Sequence, residues 1–394
     1  PLLFWSVNEI GDKHGYRRIL VAAFSIAAML LSHTVLALGF IALFLAYVLY
    51  LSFNNPRKKV IVYSLVSVIL GLLISSFFWL PAVWESRKIH SEILTQLAVY
   101  RTNFVPLVRL LYSRWGWGIV NSNNSLATHI GLPQLGVILT VLCGIIFRNS
   151  NFHSKKIYFF LASTALLLFF TTSYSSFLWD RISLLQLFIY PWRFLAIICF
   201  TAAILTSLLV SRFKHSKILA IALIAMTIIA GRNSLQFASY YTNNNSVYKN
   251  YQGTTDIAGE FLPRHANLNE IKLCYLTKCR FPKIEGLTED EYNITSDKSN
   301  RLVFETHTDT YKKIVVNIFS FPCWKIYIDR LLTQNEIGYR GTMEFNLPRG
   351  NHLVEVKFSE TPVWRLADMI SLLTVITLLA VGFHTIIKPK DHFE

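Results

Sequence analysis

Long apolar runs alternate with short clusters of lysine and arginine along this chain. Each basic cluster stands where an apolar run ends, and the runs are long enough to cross a bilayer. Positive residues collect on the cytoplasmic side of membrane spans, so this pattern predicts protein class, topology and orientation together. The clusters are Lys13/Arg17/Arg18, Arg57/Lys58/Lys59, Arg148/Lys155/Lys156, Arg212/Lys214/Lys217 and Lys388/Lys390.

The apolar runs predict a polytopic helical bundle. Residues 18–53 are too many for one helix, because they would extend about 54 Å across a hydrocarbon core of about 30 Å. We therefore predict two helices there that turn outside the membrane at Ser32-His33-Thr34. About eight crossings result, and they leave external loops at 82–130 and 173–186. The predicted crossings are 18–32, 35–53, 60–80, 131–147, 157–172, 187–210, 218–235 and 364–387.

The segment 236–363 contains no apolar run of membrane length. After about residue 270, apolar and polar residues alternate with a period of two between turn residues, which is typical of strands. We predict an extracytoplasmic antiparallel β-sandwich here, between a bundle over 1–235 and a final helix with a cytoplasmic tail over 364–394. The clearest strands are Leu302–Thr306, Lys313–Phe319, Lys325–Ile328, Thr342–Asn346 and Leu353–Phe358.

Composition agrees with a membrane protein. Of 394 residues, 53% are hydrophobic and 15% charged, whereas soluble proteins carry about 25% charged residues. The net charge of +15 does not predict nucleic-acid binding, because the surplus lies in the predicted cytoplasmic loops and no RNA-binding or zinc motif occurs. Since the sequence starts Pro1-Leu2-Leu3 without a signal-peptide pattern, we expect an N-terminal part to precede it.

Arg193 is the first candidate for binding chemistry. It lies just inside a predicted span, on the external side, against the positive-inside trend. A guanidinium can contact phosphate with two hydrogen bonds, and a lipid-linked phosphate at the outer leaflet would be a natural partner. The alternative is an arginine that reaches to the interface or pairs with Asp180.

His33 and Glu85 are the next candidates. His33 lies at the predicted turn between two spans, and a polar residue at membrane depth is a functional suspect; the alternative is a helix cap at the interface. Glu85 follows the outer end of a span, where a carboxylate could act as a base or hold a divalent metal such as Mg²⁺ or Mn²⁺. The alternative is a surface charge paired with Arg87 or Lys88.

The external loop around residues 110–118 is rich in aromatic residues and glycine. Trp115 and Trp117 present flat rings, which suit stacking on a sugar or contact with lipid, and His129 closes the loop. The alternative is simple anchoring at the membrane interface. Separately, Cys274 and Cys279 are both external and five residues apart, so a local disulfide is a further candidate.

Several short segments occur in a characteristic order over 17–387. They are Leu31-Ser32-His33-Thr34, Phe78-Trp79-Leu80-Pro81-Ala82 followed by Glu85, Leu110–Gly118, Tyr190-Pro191-Trp192-Arg193-Phe194-Leu195, Phe321–Asp329 and Leu347–His352. In this order they resemble the bacterial multi-spanning proteins called 6-pyruvoyl-tetrahydropterin synthase related, and the neighbouring YfhO-like proteins. The sequence departs from that pattern at Cys323, Arg330 and Arg114, where glycine, glycine and proline are expected.

The resemblance implies the GT-C glycosyltransferase superfamily, whose members transfer a sugar from a polyprenyl-phosphate donor on the outer face of the membrane. The usual catalytic aspartate of that superfamily lies in the first external loop, which would precede Pro1. No catalytic residue is therefore assigned in this sequence.

We accordingly expect a GT-C-like glycosyltransferase that moves a sugar to a cell-envelope glycan or protein. Arg193 would bind the donor phosphate, His33 and Glu85 would line the cavity, and the Tyr112–Gly118 loop would cover it. One alternative is a non-catalytic membrane scaffold whose β-sandwich binds envelope polymers or proteins. A transporter of lipid-linked sugars is less favoured, because charge inside the spans is sparse and no paired broken helices are evident.

Overall fold

The structure is a computed structural model that describes residues 1–8, 15–54, 58–113, 126–148, 152–232, 259–277 and 281–387. The chain divides into two compact units. The first, mainly helical, comprises Pro1–Ser76, Leu94–Thr242 and Ser371–Glu394. The second comprises Phe77–Ile93 and Asn243–Ile370 and contains the β-strands.

The α-helices among the described residues are numbered in chain order. They are α1 (Leu2–Asn8), α2 (Gly15–Ser32), α3 (Thr34–Asn54), α4 (Lys58–Ile74), α5 (Ser76–Glu85), α6 (Ile93–Gln96), α7 (Leu107–Leu111), α8 (Leu132–Ile146), α9 (Lys155–Thr171), α10 (Ser176–Trp179), α11 (Ser183–Gln186), α12 (Phe194–Val210), α13 (Ser216–Gly231), α14 (Leu268–Thr277) and α15 (Pro362–Ile387). Short 3₁₀ turns lie at Ser86–Lys88, Val99–Thr102, Ser173–Ser175 and Pro191–Arg193.

Each of the eight predicted crossings contains an α-helix, but fewer of these helices are long and apolar enough to span a membrane. In the described part of the chain three qualify, namely Thr34–Asn54, Pro191–Val210 and Pro362–Gly382. The number rises to five if each of two bent helix pairs counts as one span. The helices α8 and α13 are apolar but only 15 and 16 residues long. Membrane spans are therefore present, and the count of eight stays a prediction.

The predicted turn at His33 separates α2 from α3. The imidazole Nδ1 of His33 accepts the backbone N–H of Leu36 at 3.4 Å, which satisfies one of the free amides in the first turn of α3. Ser32 ends α2 with a hydroxyl that donates to the carbonyl of Ala28 at 2.6 Å. The apolar run is thus divided into two helices at His33, which caps the start of the second.

Two helix pairs are bent. The first bend corrects the expectation of an uninterrupted crossing over 60–80, and the second lies where the crossing 157–172 is predicted to end. The predicted crossing 60–80 breaks after Ile74, and the next helix leaves at 74°. The break lies at Ser75, whose hydroxyl donates to the Gly71 carbonyl at 2.8 Å, while Pro81 lies within α5. The second bend, of 85°, follows α9, where Thr172 adopts an extended backbone conformation.

Close approach of backbones holds α2 against α4. A Cβ atom built on Gly71 would lie 2.7 Å from the Ile26 Cβ and 2.9 Å from the Ala23 carbonyl oxygen. Small residues at such crossings allow the dispersion contacts that drive helix association in lipid. Elsewhere in this unit the hydroxyl of Thr164 donates to that of Thr201 at 2.8 Å and joins α9 to α12.

The second unit contains the predicted antiparallel β-sandwich. Its strands are β1 (Ile284–Glu285), β2 (Tyr292–Lys298), β3 (Arg301–Thr308), β4 (Lys312–Phe319), β5 (Trp324–Ile328), β6 (Leu331–Thr333), β7 (Glu336–Ile337), β8 (Thr342–Leu347) and β9 (Gly350–Phe358). One sheet has the order β1-β4-β8-β7 and the other β2-β3-β9-β5-β6. Alternate residues of both sheets form a single apolar core, in which Phe304 and Phe345 are almost fully buried. The five strands predicted most clearly are all confirmed.

The β5–β6 hairpin shows how the sequence tolerates its departure from the family pattern. Asp329 and Arg330 have φ angles of +49° and +70°, the left-handed pair of a type I′ turn. Asp329 also accepts the Leu353 amide at 2.9 Å and contacts His352 Nδ1 at 2.7 Å. These bonds tie the turn to β9, so the turn forms although Arg330 has a Cβ atom.

Replacing Gly71 with alanine is expected to destabilise the helical unit. The added methyl group would overlap Ile26 and the α2 backbone, and overpacking of this kind costs about 1–3 kcal/mol. Gly136→Ala on α8 is the matched control, because nothing lies within 4 Å of its Cβ position. Thermal unfolding of the detergent-solubilised protein measures both; equal unfolding temperatures would contradict the proposed close packing.

Arg330→Gly is expected to stabilise the sandwich. A left-handed conformation costs an L-residue about 1–2 kcal/mol, and part of this gain is lost to the greater freedom of glycine in the unfolded chain. We expect a net gain of about 0.5–1 kcal/mol, measured by chemical unfolding. Arg349→Gly, in the turn before β9 and without a positive φ, should bring no gain.

Stability of the sandwich should depend on pH through the His352–Asp329 pair. The hydrogen bond to Asp329 raises the pKa of His352 above 6.5, and the same bond lowers the pKa of Asp329 below 3.8. The histidine contribution is complete below pH 6.5 and is lost as pH rises through the raised pKa. The aspartate contribution is lost as pH falls through the lowered pKa. Unfolding temperatures of the wild type and His352→Gln should therefore differ most in the mildly acidic range and converge in alkali; a constant difference would refute the pairing.

Candidate functional site

A buried indole organises one region of the helical unit. Trp179, the last residue of α10, is completely buried, and its Nε1 donates to the Phe170 carbonyl at 3.1 Å. The ring of Tyr100 stacks on it with a centroid distance of 5.3 Å, and Phe194 meets it edge-on at 6.1 Å. These contacts fix the 3₁₀ turn Val99–Thr102 and the first residue of α12 around one aromatic centre.

Asp180, the residue after Trp179, accepts hydrogen bonds from the same 3₁₀ turn. Its Oδ1 accepts the Tyr100 hydroxyl at 2.6 Å and Arg101 Nη2 at 3.0 Å. The hydrogen bonds from Tyr100 and Arg101 lower the pKa of the Asp180 carboxyl. Asp180 pairs with Arg101 rather than with Arg193, so the structure removes one alternative explanation for Arg193. The carboxylate of Asp180 thus links the residue after α10 to the 3₁₀ turn Val99–Thr102, which is far away in the sequence.

The chain enters α12 through a strained turn. The backbone of Ile189 has φ = +60°, and the amide of Tyr190 donates to the carbonyl of Phe188 at 2.5 Å. This geometry is a classic γ-turn, which is rare and strained. A β-branched residue at positive φ is an outlier, and such strain persists only where surrounding contacts enforce it. Phe188 supplies one of them, because its ring stacks on Phe194 at 4.6 Å.

Arg193 completes this turn. Its Nη1 donates to the Phe188 carbonyl at 2.7 Å, the oxygen that also closes the γ-turn. The guanidinium carbon lies 4.9 Å from the centre of the Tyr190 ring and 6.0 Å from that of Trp192, and these two rings stack at 5.2 Å. Arg193 is partly buried, and among the described residues it has no carboxylate partner.

This arrangement leaves most of the guanidinium free to bind an anion. Arginine has five N–H donors in a fixed plane, and the Phe188 carbonyl accepts from one nitrogen of Arg193. A carbonyl and two aromatic faces orient the group without neutralising its charge. A planar cation held in this way is suited to phosphate, which accepts two parallel hydrogen bonds from it.

His33 belongs to the same compact unit but has a capping role there. Its side chain is exposed, and the Nδ1 atom accepts the Leu36 amide described above. The cap that the sequence analysis left open as an alternative is therefore present. A part for His33 in lining a cavity stays a prediction.

Glu85 belongs to the second unit, at the end of α5. Its side chain is 8% exposed, and Oε1 accepts the Thr361 hydroxyl at 3.5 Å. It also lies close to Cys323: burial, followed by the charge of Glu85, raises the pKa of that thiol to about 11. Neither Arg87 nor Lys88 forms an ion pair with Glu85 in the part of the chain that the structure describes. Glu85 is thus a buried carboxylate within the second unit.

The loop that carries Trp115 and Trp117 is closed at its base by one serine. Ser113 Oγ accepts the amides of Thr128 at 2.8 Å and His129 at 3.1 Å, and it lies 3.0 Å from His129 Nδ1. Trp115 and Trp117 themselves lie outside the described residues. His129 is exposed and fixes the base of the loop, and sugar stacking by the loop stays a prediction.

The cysteine and metal predictions have different outcomes. Cys274 is disulfide-bonded, while Cys279 lies outside the described residues, so the pairing of these two cysteines stays a prediction. Within the described ranges no group of three or more His, Cys, Asp or Glu side chains could hold a metal ion. The use of Mg²⁺ or Mn²⁺ stays a prediction.

The sequence identified Arg193 as a candidate, but it did not predict the strained turn that orients Arg193 or the nearby Tyr100–Arg101–Asp180 contact. The strain at Ile189 has no signal in the sequence, since isoleucine is a poor choice for a positive φ. The Tyr100–Arg101–Asp180 contact joins residues about 80 positions apart, and no local sequence pattern predicts it. The Tyr190-Pro191-Trp192 segment was the one available signal, because aromatic residues flanking a proline mark a helix start at an interface.

Comparison with known proteins gives a family and no individual relative. The family model described as the 6-pyruvoyl-tetrahydropterin synthase related domain, a membrane protein, matches residues 1–240. No curated protein and no solved structure matches the chain significantly. The match covers more than half of the sequence, including the turn at His33 and the Arg193 site. The chain therefore belongs to the 6-pyruvoyl-tetrahydropterin synthase related family of membrane proteins.

Proposed function

We propose that this membrane protein binds a polyprenyl-phosphate sugar through Arg193 and transfers the sugar to a cell-envelope acceptor, as a GT-C-like glycosyltransferase. One observation carries the proposal: a guanidinium is oriented by the Phe188 carbonyl and by Tyr190, and no described carboxylate neutralises it. A cation in this state needs an anionic partner, because an unpaired charge near lipid is costly.

The position of Arg193 along the chain supports a lipid-linked partner. Arg193 belongs to the first turn of Pro191–Val210, a helix long and apolar enough to span a membrane. Tyr190 and Trp192 lie just before Arg193 in the chain, and such residues are enriched where helices enter the headgroup region. A phosphate on a membrane-embedded polyprenyl chain would lie at this depth. The proposal requires the β-sandwich to be extracytoplasmic and the basic clusters to be cytoplasmic.

In the proposed reaction an acceptor hydroxyl attacks the anomeric carbon of the donor sugar. The bond between that carbon and the phosphate oxygen breaks, its electron pair stays on the polyprenyl phosphate, and Arg193 stabilises the resulting charge. The acceptor proton passes to a base that is not assigned. Asp180 is a poor candidate, because its carboxyl is already held by Tyr100 and Arg101, which lower its pKa.

A second candidate function is binding of envelope glycans by the β-sandwich without catalysis. One face of this unit carries a groove of about 430 Å³. Its lining includes Asn293, Glu305, His307 and Asn351, side chains that can hydrogen-bond sugar hydroxyls. Release of a labelled sugar from polyprenyl phosphate distinguishes the two functions, because a binding module would retain the glycan without cleaving the donor.

Arg193→Gln should weaken binding of a photoreactive polyprenyl phosphate by on the order of 10- to 100-fold, since a hydrogen bond to a charged group contributes about 1.5–3 kcal/mol. Sugar transfer by membranes that contain the full-length protein should fall in parallel. Arg181→Gln is the matched control, because Arg181 is an exposed arginine of the same region and should bind as the wild type does.

Arg193→Lys separates a phosphate role from a structural one. Lysine keeps the charge and can still donate to the Phe188 carbonyl, but it cannot form a bidentate contact. We expect an unfolding temperature close to that of the wild type, together with weaker donor binding. Unchanged donor binding by Arg193→Gln would disprove the phosphate role.

A further inference from the structure

A second lipid site is suggested by the way α13 lies beside α8 and α12. No residue of α13 is buried, and Ile218, Ile221 and Ile224 are all at least 60% exposed. The helix stands off its neighbours and leaves an open groove along each side. In a membrane protein such grooves hold something apolar, because empty apolar space forfeits its dispersion contacts.

The two grooves have the same character. The first, of about 670 Å³, runs between α12 and α13 past Ala203 and Ala220. The second, of about 1020 Å³, lies on the other side of α13 and passes Gly136 and Met226. The helix between them is 16 residues long, so the grooves extend for about 24 Å. One leaflet of the hydrocarbon core is about 15 Å thick, so the grooves are longer than one leaflet and shorter than the whole core.

Each groove ends at a lysine near the start of α13: Lys214 in the turn that precedes the helix and Lys217 in its first turn. Lys217 lies at the end of the first groove beside Ser211 and Ser216, and Lys214 lies at the end of the second beside His215. Both lysines are exposed. No ion pair joins either of them to an acidic side chain among the described residues. Each apolar groove therefore ends beside a lysine, and the first also ends beside two serine hydroxyls.

We propose that these grooves bind an anionic phospholipid, with its acyl chains along α13 and its headgroup phosphate at Lys214 and Lys217. The match of charge and polarity favours this occupant. A partner helix would cover the apolar side chains but would leave two lysines without a counter-charge, whereas a phospholipid supplies both an apolar chain and an anion. The inference does not rest on Arg193 or on sugar transfer.

Lipid binding by the full chain in mild detergent tests the proposal. Native mass spectrometry should show retained phosphatidylglycerol, and adding this lipid should raise the unfolding temperature more than phosphatidylcholine does. Lys214→Gln combined with Lys217→Gln should weaken binding by on the order of 10-fold or more, since two contacts to one phosphate are lost. Lys58→Gln with Lys59→Gln, at the start of α4, removes the same charge elsewhere and should leave binding unchanged.

Groove shape provides an independent test. Ala220 lines the first groove, so Ala220→Trp should fill it and reduce lipid retention. Ile221 is the next residue on α13 and lines neither groove, so Ile221→Trp should retain lipid as the wild type does. Because both changes place tryptophan on α13, a general effect on folding would affect them alike.

Three outcomes would overturn the proposal. Equal stabilisation by phosphatidylcholine would exclude recognition of an anion, and equal stabilisation by glycerol phosphate would exclude the apolar grooves. A concentration-dependent dimer that excludes lipid and is lost in Ala220→Trp would identify a second copy of the chain as the occupant.

Discussion

Hydrogen bonding within the protein is the constraint on which the helical unit depends. Lipid offers no partner for a polar group, so each buried hydroxyl or carbonyl must be satisfied inside the chain. Serine and threonine side chains in the helices meet this need by donating one turn back, as at Ser67 and Thr171. Where two helices meet, the Thr164 hydroxyl donates to that of Thr201, which donates to the Ile198 carbonyl. Ser64 in α4 carries a buried hydroxyl without such a partner among the described residues, and Arg193 is a cation of which one nitrogen donates to the Phe188 carbonyl.

The strained turn before α12 helps to orient Arg193. The γ-turn at Ile189 directs the Phe188 carbonyl toward both the Tyr190 amide and Arg193. A relaxed turn would not place one oxygen against both donors. The turn is held from outside by Gly39 of α3, where a Cβ atom would lie 3.2 Å from the Phe188 ring. Packing of α3 thus stabilises a backbone conformation that presents a cation, which is the usual relation between strain and a binding site.

The sequence predicted features that depend on local pattern, and it failed where contacts are distant. The β-sandwich followed from period-two alternation in strands such as Lys312–Phe319, and the His33 turn followed from the length of one apolar run. The bend at Ser75 did not, because the apolar run continues through it and no glycine or proline marks it in the sequence. Pairing of Asp180 with Arg193 was one alternative that proximity in sequence offered, whereas folding brings Arg101 to Asp180. At Arg330 the turn forms although the residue is unsuitable for a positive φ, because Asp329 is hydrogen-bonded to β9.

The two cationic sites flank a single helix and can be separated experimentally. Arg193 precedes α12, while Lys214 and Lys217 follow it, and the 17 residues of α12 keep the two ends about 26 Å apart. Screening limits direct coupling over that distance, which exceeds the Debye length of about 8 Å in physiological salt. A phosphate at one end therefore has little influence on a phosphate at the other, except through movement of α12 itself. The hydrogen bond from Thr164 to Thr201 packs α12 against α9 and restrains that movement, so a substitution at one proposed site is expected to leave binding at the other unchanged.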